Sequence, residues 1–300
     1  MIKSAYRAAI GSMLIMVPRQ IDGRKEEVSG DGYQATIHLS PLNKRIVVKD
    51  YSGQNIEKLT SRLIKLAQKN NYTKIWVKAY QDDAEKFSQS GFEKEALIDG
   101  YYSQDDAVSM AYYLSSRREE VVDFEEEEKI IKELDREERK DYRVTLAEEY
   151  KFKVAEERDL EKLAALYNEV FDSYPYPIDK VDYLRKMLTE DVIYGLIYEG
   201  DKLVAAASAE TVPQEKNSEM TDFATLPEYQ GQGLASYLLE QLEDILKDKD
   251  YNCLYTIARA KVFGINKLFS RAGYEYKGRL IQNCNIGGGL EDMNLWCKII

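Results

Sequence analysis

The chain has 300 residues, of which 44% are hydrophobic and 32% are charged, a composition typical of a globular protein large enough for two domains. Its 42 basic and 53 acidic residues give a formal net charge of −11, which argues against a nucleic-acid partner. No run of about 18 apolar residues occurs, so we expect no membrane-spanning helix.

The inventory of reactive side chains restricts the chemistry. His38 is the single histidine, and Cys253, Cys284 and Cys297 show no Cys-x-x-Cys spacing. We therefore expect neither a histidine-based triad nor a metal site, and we expect carboxylates, tyrosines or water to transfer protons. Unpaired cysteines are typical of the cytoplasm.

Residues 1–20, MIKSAYRAAIGSMLIMVPRQ, place two basic residues before a short apolar stretch, which is weakly similar to a secretory signal peptide. The stretch lacks an Ala-x-Ala cleavage site. We therefore expect a cytoplasmic protein.

Residues 115–149 form a charged stretch with neither glycine nor proline and with opposite charges at i,i+4 spacing. This pattern favours a solvated linking helix, and an extra helix packed on one domain is the alternative. We therefore expect a first domain at 1–114, a charged and helical linker at 115–149, and a second domain at 150–300.

The parts on either side of the charged stretch contain an internal duplication. Residues 55–79 align with 234–260, and apolar residues recur at helical spacing in both. FSQSGFE at 87–93 matches FSRAGYE at 269–275, where a helix is expected to end at a glycine before an aromatic residue that begins a strand. Similar motifs in the same order predict two copies of one α/β fold.

The two copies differ at the turn before the aligned helix. The second copy reads Gln230-Gly231-Gln232-Gly233, whereas the first reads Tyr51-Ser52-Gly53-Gln54. The first four N–H groups of a helix lack intrahelical partners, and glycines let a phosphate approach them. The second copy is therefore predicted to bind a diphosphate, with Ser236 able to donate one further hydrogen bond. The first copy is predicted to have lost the ligand and to pack against, pair with or cover the active copy.

Two other phosphate-binding motifs fit these glycines less well. A Walker loop requires Gly-x-x-x-x-Gly-Lys-Ser/Thr, which the sequence lacks. The dinucleotide fingerprint Gly-x-Gly-x-x-Gly is incomplete, and residues 227–230 separate the glycines from the preceding strand. A glycine-rich turn that only opens a helix remains the simplest alternative to ligand binding.

The order of elements around this turn resembles the GNAT acetyltransferase superfamily. Its motif Gln/Arg-x-x-Gly-x-Gly/Ala is present at Gln230, Gly233 and Ala235, and a helix and a two-stranded hairpin precede it. The resemblance implies an α/β (α+β) fold of tandem GNAT-like mixed sheets with flanking helices, in which the first copy is degenerate and the second binds acetyl-CoA. It also implies that the cofactor contacts are Phe223, Ala224, Thr225 and Leu226 of the preceding strand and Gln230, Gly231, Gln232, Gly233, Leu234, Ala235 and Ser236 of the loop.

Longer strings narrow the resemblance to the β-lysine N-acetyltransferases, among them SYPYPI at 173–178, EMTDFATLPEYQGQGLA at 219–235 and NCNIGGGLEDMNLW at 283–296. This similarity implies transfer of the acetyl group from acetyl-CoA to the ε-amine of β-lysine, by direct attack of the amine on the thioester. The product would be the compatible solute Nε-acetyl-β-lysine, used in osmoadaptation, and a lysine 2,3-aminomutase would supply the β-lysine. An acetyltransferase for another small amine or a protein lysine, and a non-catalytic acetyl-CoA sensor or scaffold, are the alternatives.

Attack on a thioester requires a neutral amine, so a base must take the proton of the ammonium. Glu219 and Asp222 are the candidates, since many superfamily members have a glutamate where Glu219 stands and Asp222 fits either a base or an ammonium anchor. On a regular strand these two side chains point to opposite faces. A backbone N–H near Ala224 or Thr225 is expected to stabilise the acyl oxygen.

The general acid departs from the superfamily pattern. Phe269 stands where many members have a tyrosine that protonates the leaving thiolate. Tyr255, Tyr229 or a water molecule are the substitutes, or the thiolate leaves without help.

An acceptor with two amines and one carboxylate needs both anions and cations in its pocket. We expect Tyr174 and Tyr176, held by the neighbouring prolines, to form one wall, and Arg259 to bind the carboxylate bidentately. Glu291 is expected to meet an ammonium group, and Asn266 is a weaker candidate. Each of these residues also fits an ordinary structural role. The sequence leaves open whether the chain forms a homodimer.

Overall fold

A computed structural model of the chain describes residues 23–103, 105–136, 144–172, 174–286 and 288–300. The amino-terminal stretch at 1–20 and residues 137–143 of the charged stretch lie outside these ranges. Among the helices in these ranges, none has the length and apolar character that crossing a bilayer would require.

The described ranges form thirteen strands, eight α-helices and three short 3-10 helices. The strands are β1 (Arg24–Gly30), β2 (Tyr33–Ser40), β3 (Arg45–Gly53), β4 (Lys74–Tyr80), β5 (Glu93–Tyr102), β6 (Asp105–Tyr113), β7 (Tyr150–Val154), β8 (Val192–Glu199), β9 (Lys202–Val212), β10 (Asn217–Thr225), β11 (Cys253–Arg259), β12 (Glu275–Ile286) and β13 (Gly289–Ile299). The helices are α1 (Ile56–Lys69), α2 (Ala84–Gln89), α3 (Ser116–Glu119), α4 (Phe124–Arg136), α5 (Leu160–Val170), α6 (Val181–Thr189), α7 (Leu234–Asp248) and α8 (Phe263–Arg271).

All described strands belong to one mixed sheet, in the order β1-β2-β3-β4-β6-β5-β12-β13-β11-β10-β9-β8-β7. The pairs β3–β4 and β10–β11 are parallel, and the other neighbours are antiparallel. The order β3-β4-β6-β5 in the first half repeats as β10-β11-β13-β12 in the second half, with α1 and α7 at equivalent places. The predicted tandem α/β fold is confirmed.

Equivalent side chains build the core of each half. Leu59 and Leu63 of α1 are buried, as are Leu238 and Leu242 of α7, since residues three or four apart lie on one helical face. Phe87 and Phe269, from the matched FSQSGFE and FSRAGYE strings, are likewise completely buried. The two matched heptapeptides therefore close the equivalent helix–strand corner in each half.

The two half-sheets join edge to edge through β5 and β12, where Ala96 pairs with Gly278. Gly278 has φ 140°, and a Cβ at this position would overlap the carbonyl oxygen of Glu95, so only glycine fits. A separate apolar cluster covers the junction and draws from both halves: Val47, Trp76, Ala96, Ile98, Ala107, Cys253, Tyr255, Leu280, Met293, Leu295 and Cys297.

The first turn of α1 differs from that of α7 in a way that affects ligands. Asn55 is the N-cap of α1, and its side-chain oxygen accepts a hydrogen bond from the N–H of Lys58. Gly233 is the N-cap of α7 and has no side chain that could accept such a bond. The first half therefore uses an amide internally that the second half leaves open.

Helix α4 is the longer of the two helices in the described part of the charged stretch. Its Ile130 and Leu134 are buried in the core of the second half. Glu127 lies 3.3 Å from Arg279 of β12 and is buried. Apolar packing and a buried ion pair thus attach this helix to the second half.

Candidate active site

The turn before α7 has the geometry of an anion cradle. Gly231 and Gly233 have φ values of 80° and 81°, in the left-handed region that favours glycine. A Cβ on Gly233 would lie 3.0 Å from a methyl carbon of Val144. The N–H groups at the start of α7 therefore face outward with no capping side chain, as an anion requires.

These N–H groups border a cavity of about 420 Å³. Two basic residues of α8, Lys267 and Arg271, also line the cavity, and their i,i+4 spacing places them on one helical face. Their charges, added to the positive end of α7, suit a diphosphate. The predicted cofactor residues that line the cavity are Phe223, Thr225, Gln230, Gly231, Gly233, Leu234, Ala235 and Ser236.

The other three predicted cofactor residues point elsewhere. Ala224 and Leu226 are buried in the core of the second half, because their side chains face away from the cavity. Gln232 accepts a hydrogen bond of 2.6 Å from the Tyr150 hydroxyl, which ties the loop to β7. These residues shape the turn, and only their backbone is available to a ligand.

Strand β10 separates from β11 beside this cavity. The two strands pair at Asn217, Ser218 and Glu219, and no pairing follows further along β10. A β-bulge lies between Thr221 and Ala224. The last part of β10 therefore has one backbone edge without a strand partner, which a ligand can occupy.

The β-bulge changes the predicted orientation of the two candidate bases. Glu219 pairs with Glu210 of β9, and Asp222 accepts a hydrogen bond from Ser208, two residues away on the same strand. Residues two apart share a face, so both carboxylates lie on one face of the sheet. The expectation of opposite faces assumed a regular strand and was wrong, since Asp222 has φ 53° within the bulge.

Asp222 is a buried carboxylate that is hydrogen-bonded to the segment before α6, through Tyr174. It accepts hydrogen bonds of 2.5 Å from the Tyr174 hydroxyl and 2.8 Å from Ser208. Burial raises the pKa of Asp222, although these two hydrogen bonds oppose the effect. The neighbouring Tyr176 stacks on Tyr183 of α6. The two predicted tyrosines therefore pack along the carboxylate face of the sheet.

Glu219 borders a second cavity, of about 450 Å³, which we call the acceptor cavity. One oxygen of Glu219 accepts a hydrogen bond of 3.1 Å from the Tyr255 hydroxyl, and its other oxygen has no donor within the described residues. Glu210, on the neighbouring strand β9, lines the same cavity and pairs with Glu219. Burial, reinforced by Asp222 and Glu219, raises the pKa of Glu210 well above its ordinary value.

None of the five predicted substrate residues lines either cavity: Tyr174 and Tyr176 pack along the carboxylate face of the sheet, and the other three bond to protein groups. Arg259 and Glu291 form a bidentate ion pair with each other, with N–O distances of 2.8 and 2.7 Å. Asn266 is completely buried, donates to the carbonyl oxygens of Arg259 and Val262, and accepts from Asn294 and Trp296. Their polar groups are satisfied by the protein, so the structure gives these residues a structural role.

Phe269 lies in the core, in edge contact with Phe223 and Tyr274. Among the other tyrosines considered as the acid, Tyr229 donates its hydroxyl to Glu199. Tyr255 instead lines the acceptor cavity beside Glu219. Burial raises the pKa of Tyr255 well above its ordinary value, which keeps its hydroxyl protonated as a donor.

Sequence reasoning missed Glu210 and the basic pair on α8. The register of the β9–β10 hairpin would have found Glu210, because Val212 and Asn217 pair beside the turn and Glu210 lies opposite Glu219. The i,i+4 spacing of Lys267 and Arg271, in the helix that follows β11, likewise indicated two basic side chains on one helical face. The contributions of the first half to the acceptor cavity carry no such signal, since they depend on how the halves join.

Comparisons with known proteins agree with this arrangement. A family model described as Acetyltransferase (GNAT) family matches residues 160–274, which include the turn, β10 and β11. N-acetyltransferase YodP of Bacillus subtilis (strain 168) is 36% identical over 273 residues, which cover 91% of this chain and 98% of that protein. Two proteins named β-lysine N(6)-acetyltransferase are also similar: that of Methanococcus maripaludis is 36% identical (88% of this chain, 95% of that protein), and that of Methanosarcina mazei is 32% identical (84% and 100%).

Proposed function

We propose, from the premise that the chain belongs to the β-lysine N-acetyltransferase family of the GNAT superfamily, that it acetylates the ε-amine of β-lysine. Membership makes the chain an N-acetyltransferase, an enzyme that transfers an acetyl group to an amine. The names of two relatives support β-lysine as the acceptor. The single observation that carries the proposal is the juxtaposition of an open anion cradle with a carboxylate-lined cavity along β10.

GNAT acetyltransferases use acetyl-CoA, which supplies the acetyl group as a thioester. The uncapped start of α7 and the basic side chains of Lys267 and Arg271 fit its diphosphate. The unpaired edge of β10 fits its extended pantetheine arm, because a strand edge offers N–H and C=O groups in alternation. We propose that backbone N–H groups near Ala224 and Thr225 also donate to the acyl oxygen.

Glu219 is the base in this proposal. At pH 7, removing a proton from an ammonium of pKa about 10.4 costs roughly 4.6 kcal/mol, so an adjacent acceptor of that proton is needed. Glu219 has an oxygen open to the acceptor cavity, and Tyr255 fixes its orientation through the other oxygen. Asp222 already accepts from two hydroxyls, so we assign it a positioning role and the attraction of the ammonium.

The product chemistry fits a solute. β-Lysine carries two ammonium groups and one carboxylate, and acetylation removes one positive charge and leaves a zwitterion without net charge. Such a molecule can accumulate without a counter-ion. We therefore propose that the enzyme acts in the cytoplasm after a lysine 2,3-aminomutase and produces the compatible solute Nε-acetyl-β-lysine.

The test is thiol release by the purified protein, supplied with acetyl-CoA and β-lysine, α-lysine or unrelated amines. We expect release with β-lysine and much less with α-lysine, and mass spectrometry should locate the acetyl group on the ε-nitrogen. Release only with another amine would replace the acceptor and keep the chemistry. Acetyl-CoA binding with no turnover of any amine would refute the catalytic proposal.

A further inference from the structure

The first half of the chain lacks the groups that the second half uses for chemistry. Val47 pairs with Trp76 where, in the second half, Glu219 pairs with Tyr255. The candidate base and its tyrosine partner are thus replaced by an apolar pair. Asn55 also caps the helix whose counterpart begins at the open turn.

The first half nevertheless forms one side of the acceptor cavity. Residues of β3, β4 and β5 line it, opposite residues of α6, β9 and β10 from the second half. Two lysines stand on the first-half side, Lys49 of β3 and Lys78 of β4. A cavity with this lining cannot form from the second half alone.

Lys49 has the surroundings of a ligand-binding group. Lys49 lines the cavity and is exposed to solvent, and within the described residues its amine has no hydrogen bond or ion pair. Partial desolvation at the cavity wall, with the charge of Lys78 as the second cause, lowers the pKa of Lys49. An anion placed beside this amine would satisfy it and favour its charged form.

Lys78 is held in place by aromatic residues. Its ammonium donates to the hydroxyls of Tyr101 and Tyr255, at 3.1 and 3.0 Å, and lies 5.4 Å from the ring centre of Trp76. The Tyr255 hydroxyl donates in turn to Glu219. Two hydrogen bonds therefore connect the cation of the first half to the candidate base of the second.

Among the residues that line the cavity, both cationic groups come from the first half. Lys49 and Lys78 stand there together with Asp50, whereas the charged residues of the second half are all acids: Glu190, Glu210, Glu215 and Glu219. In β-lysine, six bonds separate the carboxyl carbon from the ε-nitrogen, a span of about 7 Å. An amine held at Glu219 thus places a carboxylate within reach of the lysines, whereas a simple diamine has no group for them.

We propose that the first half is the recognition part of the acceptor site, and that the ammonium groups of Lys49 and Lys78 bind the carboxylate of the acceptor. This inference rests on the proposed function and deepens it, because it assigns the acceptor class to amino acids with a distal amine. The degenerate copy then determines specificity, and the intact copy carries out the transfer.

The experiment compares β-lysine with 1,4-diaminopentane, which has the same carbon chain without the carboxylate. For Lys49→Met we expect the KM for β-lysine to rise about 10-fold or more, as for loss of a charged hydrogen bond, while the kcat changes little. The KM for 1,4-diaminopentane should stay the same or fall. Lys49→Arg should retain much of the preference for β-lysine, and Lys49→Glu should reverse it.

Two controls keep the result interpretable. Lys65→Met removes an exposed lysine of α1 outside the cavity and should leave both KM values unchanged. An unchanged KM for acetyl-CoA in each variant shows that the fold and the cofactor site are intact.

The relevant ratio is the kcat/KM for β-lysine divided by the kcat/KM for 1,4-diaminopentane. If wild type acetylates β-lysine and this ratio is the same in wild type, Lys49→Met and Lys49→Glu, the inference is overturned and the proposed function stands. If wild type does not acetylate β-lysine, the proposed function fails separately. The same ratio is then measured with α-lysine and 1,5-diaminopentane. A carboxylate preference that Lys49→Met abolishes would still support the inference, and its absence would refute it.

Discussion

Replacing Gly233 with alanine tests the anion cradle at the position where the structure is most restrictive. Gly233 has φ 81°, a conformation that costs alanine about 1 kcal/mol more than glycine. The added Cβ would also approach Val144 to 3.0 Å, so that side chain must move. Together these effects amount to about 1–2 kcal/mol.

The strain should appear as lost cofactor affinity. The loop can relieve it by rotating Gly233 toward negative φ, which turns the first N–H groups of α7 away from the cavity. Binding must then restore the strained conformation. We expect the KM for acetyl-CoA to rise about 5- to 30-fold, the factor that corresponds to 1–2 kcal/mol. Thiol release at saturating acceptor measures it.

Gly200→Ala is the matched control. Gly200 lies in the β8–β9 turn with φ 55°, and a Cβ there would meet no atom within 4 Å. This variant should lose similar backbone stability in thermal unfolding and keep the wild-type KM for acetyl-CoA. Gly233→Ala with an unchanged KM, and with the same loss of Tm as the control, would refute the role of the turn.

Three further predictions concern the acceptor side. Glu219→Gln should lower kcat about 100-fold near pH 7, and the activity should recover partly at higher pH, where the ammonium loses its proton unaided. Glu161→Gln, at an exposed position of α5, is the control. A wild-type pH–rate profile for Glu219→Gln would exclude Glu219 as the base. Tyr174→Phe removes a donor to Asp222 and should raise the KM for β-lysine more than that for acetyl-CoA, whereas equal changes in both would contradict a positioning role. For Glu210 the raised pKa means that the folded state binds the proton more tightly, so its stabilising effect is lost as pH rises through that pKa. The Tm of Glu210→Gln without ligand should therefore fall less than that of wild type between about pH 4.5 and pH 8, and parallel curves would count against the assignment.

The fold was predictable because it repeats. Alignment of the two copies identified α1 as the equivalent of α7 and Phe87 as the equivalent of Phe269, because helical periodicity and glycine C-caps are local signals. The glycine turn was similarly local: the sequence predicted accessible amides there, and Gly231 and Gly233 have positive φ before a helix start without a capping side chain.

The acceptor side depended on information that local patterns do not contain. The bulge at Asp222 reversed the expected orientation of one carboxylate, because period-2 reasoning holds only for a regular strand. Arg259 and Glu291 were individually reasonable ligands, but the antiparallel β11–β13 ladder brings these strands together and the two charges pair with each other. Lys49 is about 170 residues from Glu219 in the chain, and only the joined sheet brings both to one cavity.

The edge-to-edge junction of β5 and β12 has an evolutionary consequence. In a homodimer of identical subunits, every substitution occurs twice, so a cleft cannot acquire a new lining in one subunit without altering the other. Joining both copies in one polypeptide breaks that symmetry. One half could then replace the carboxylate with Val47, cap its helix start with Asn55 and place Lys49 and Lys78 in the cavity, while the other half kept Glu219 and the open helix start.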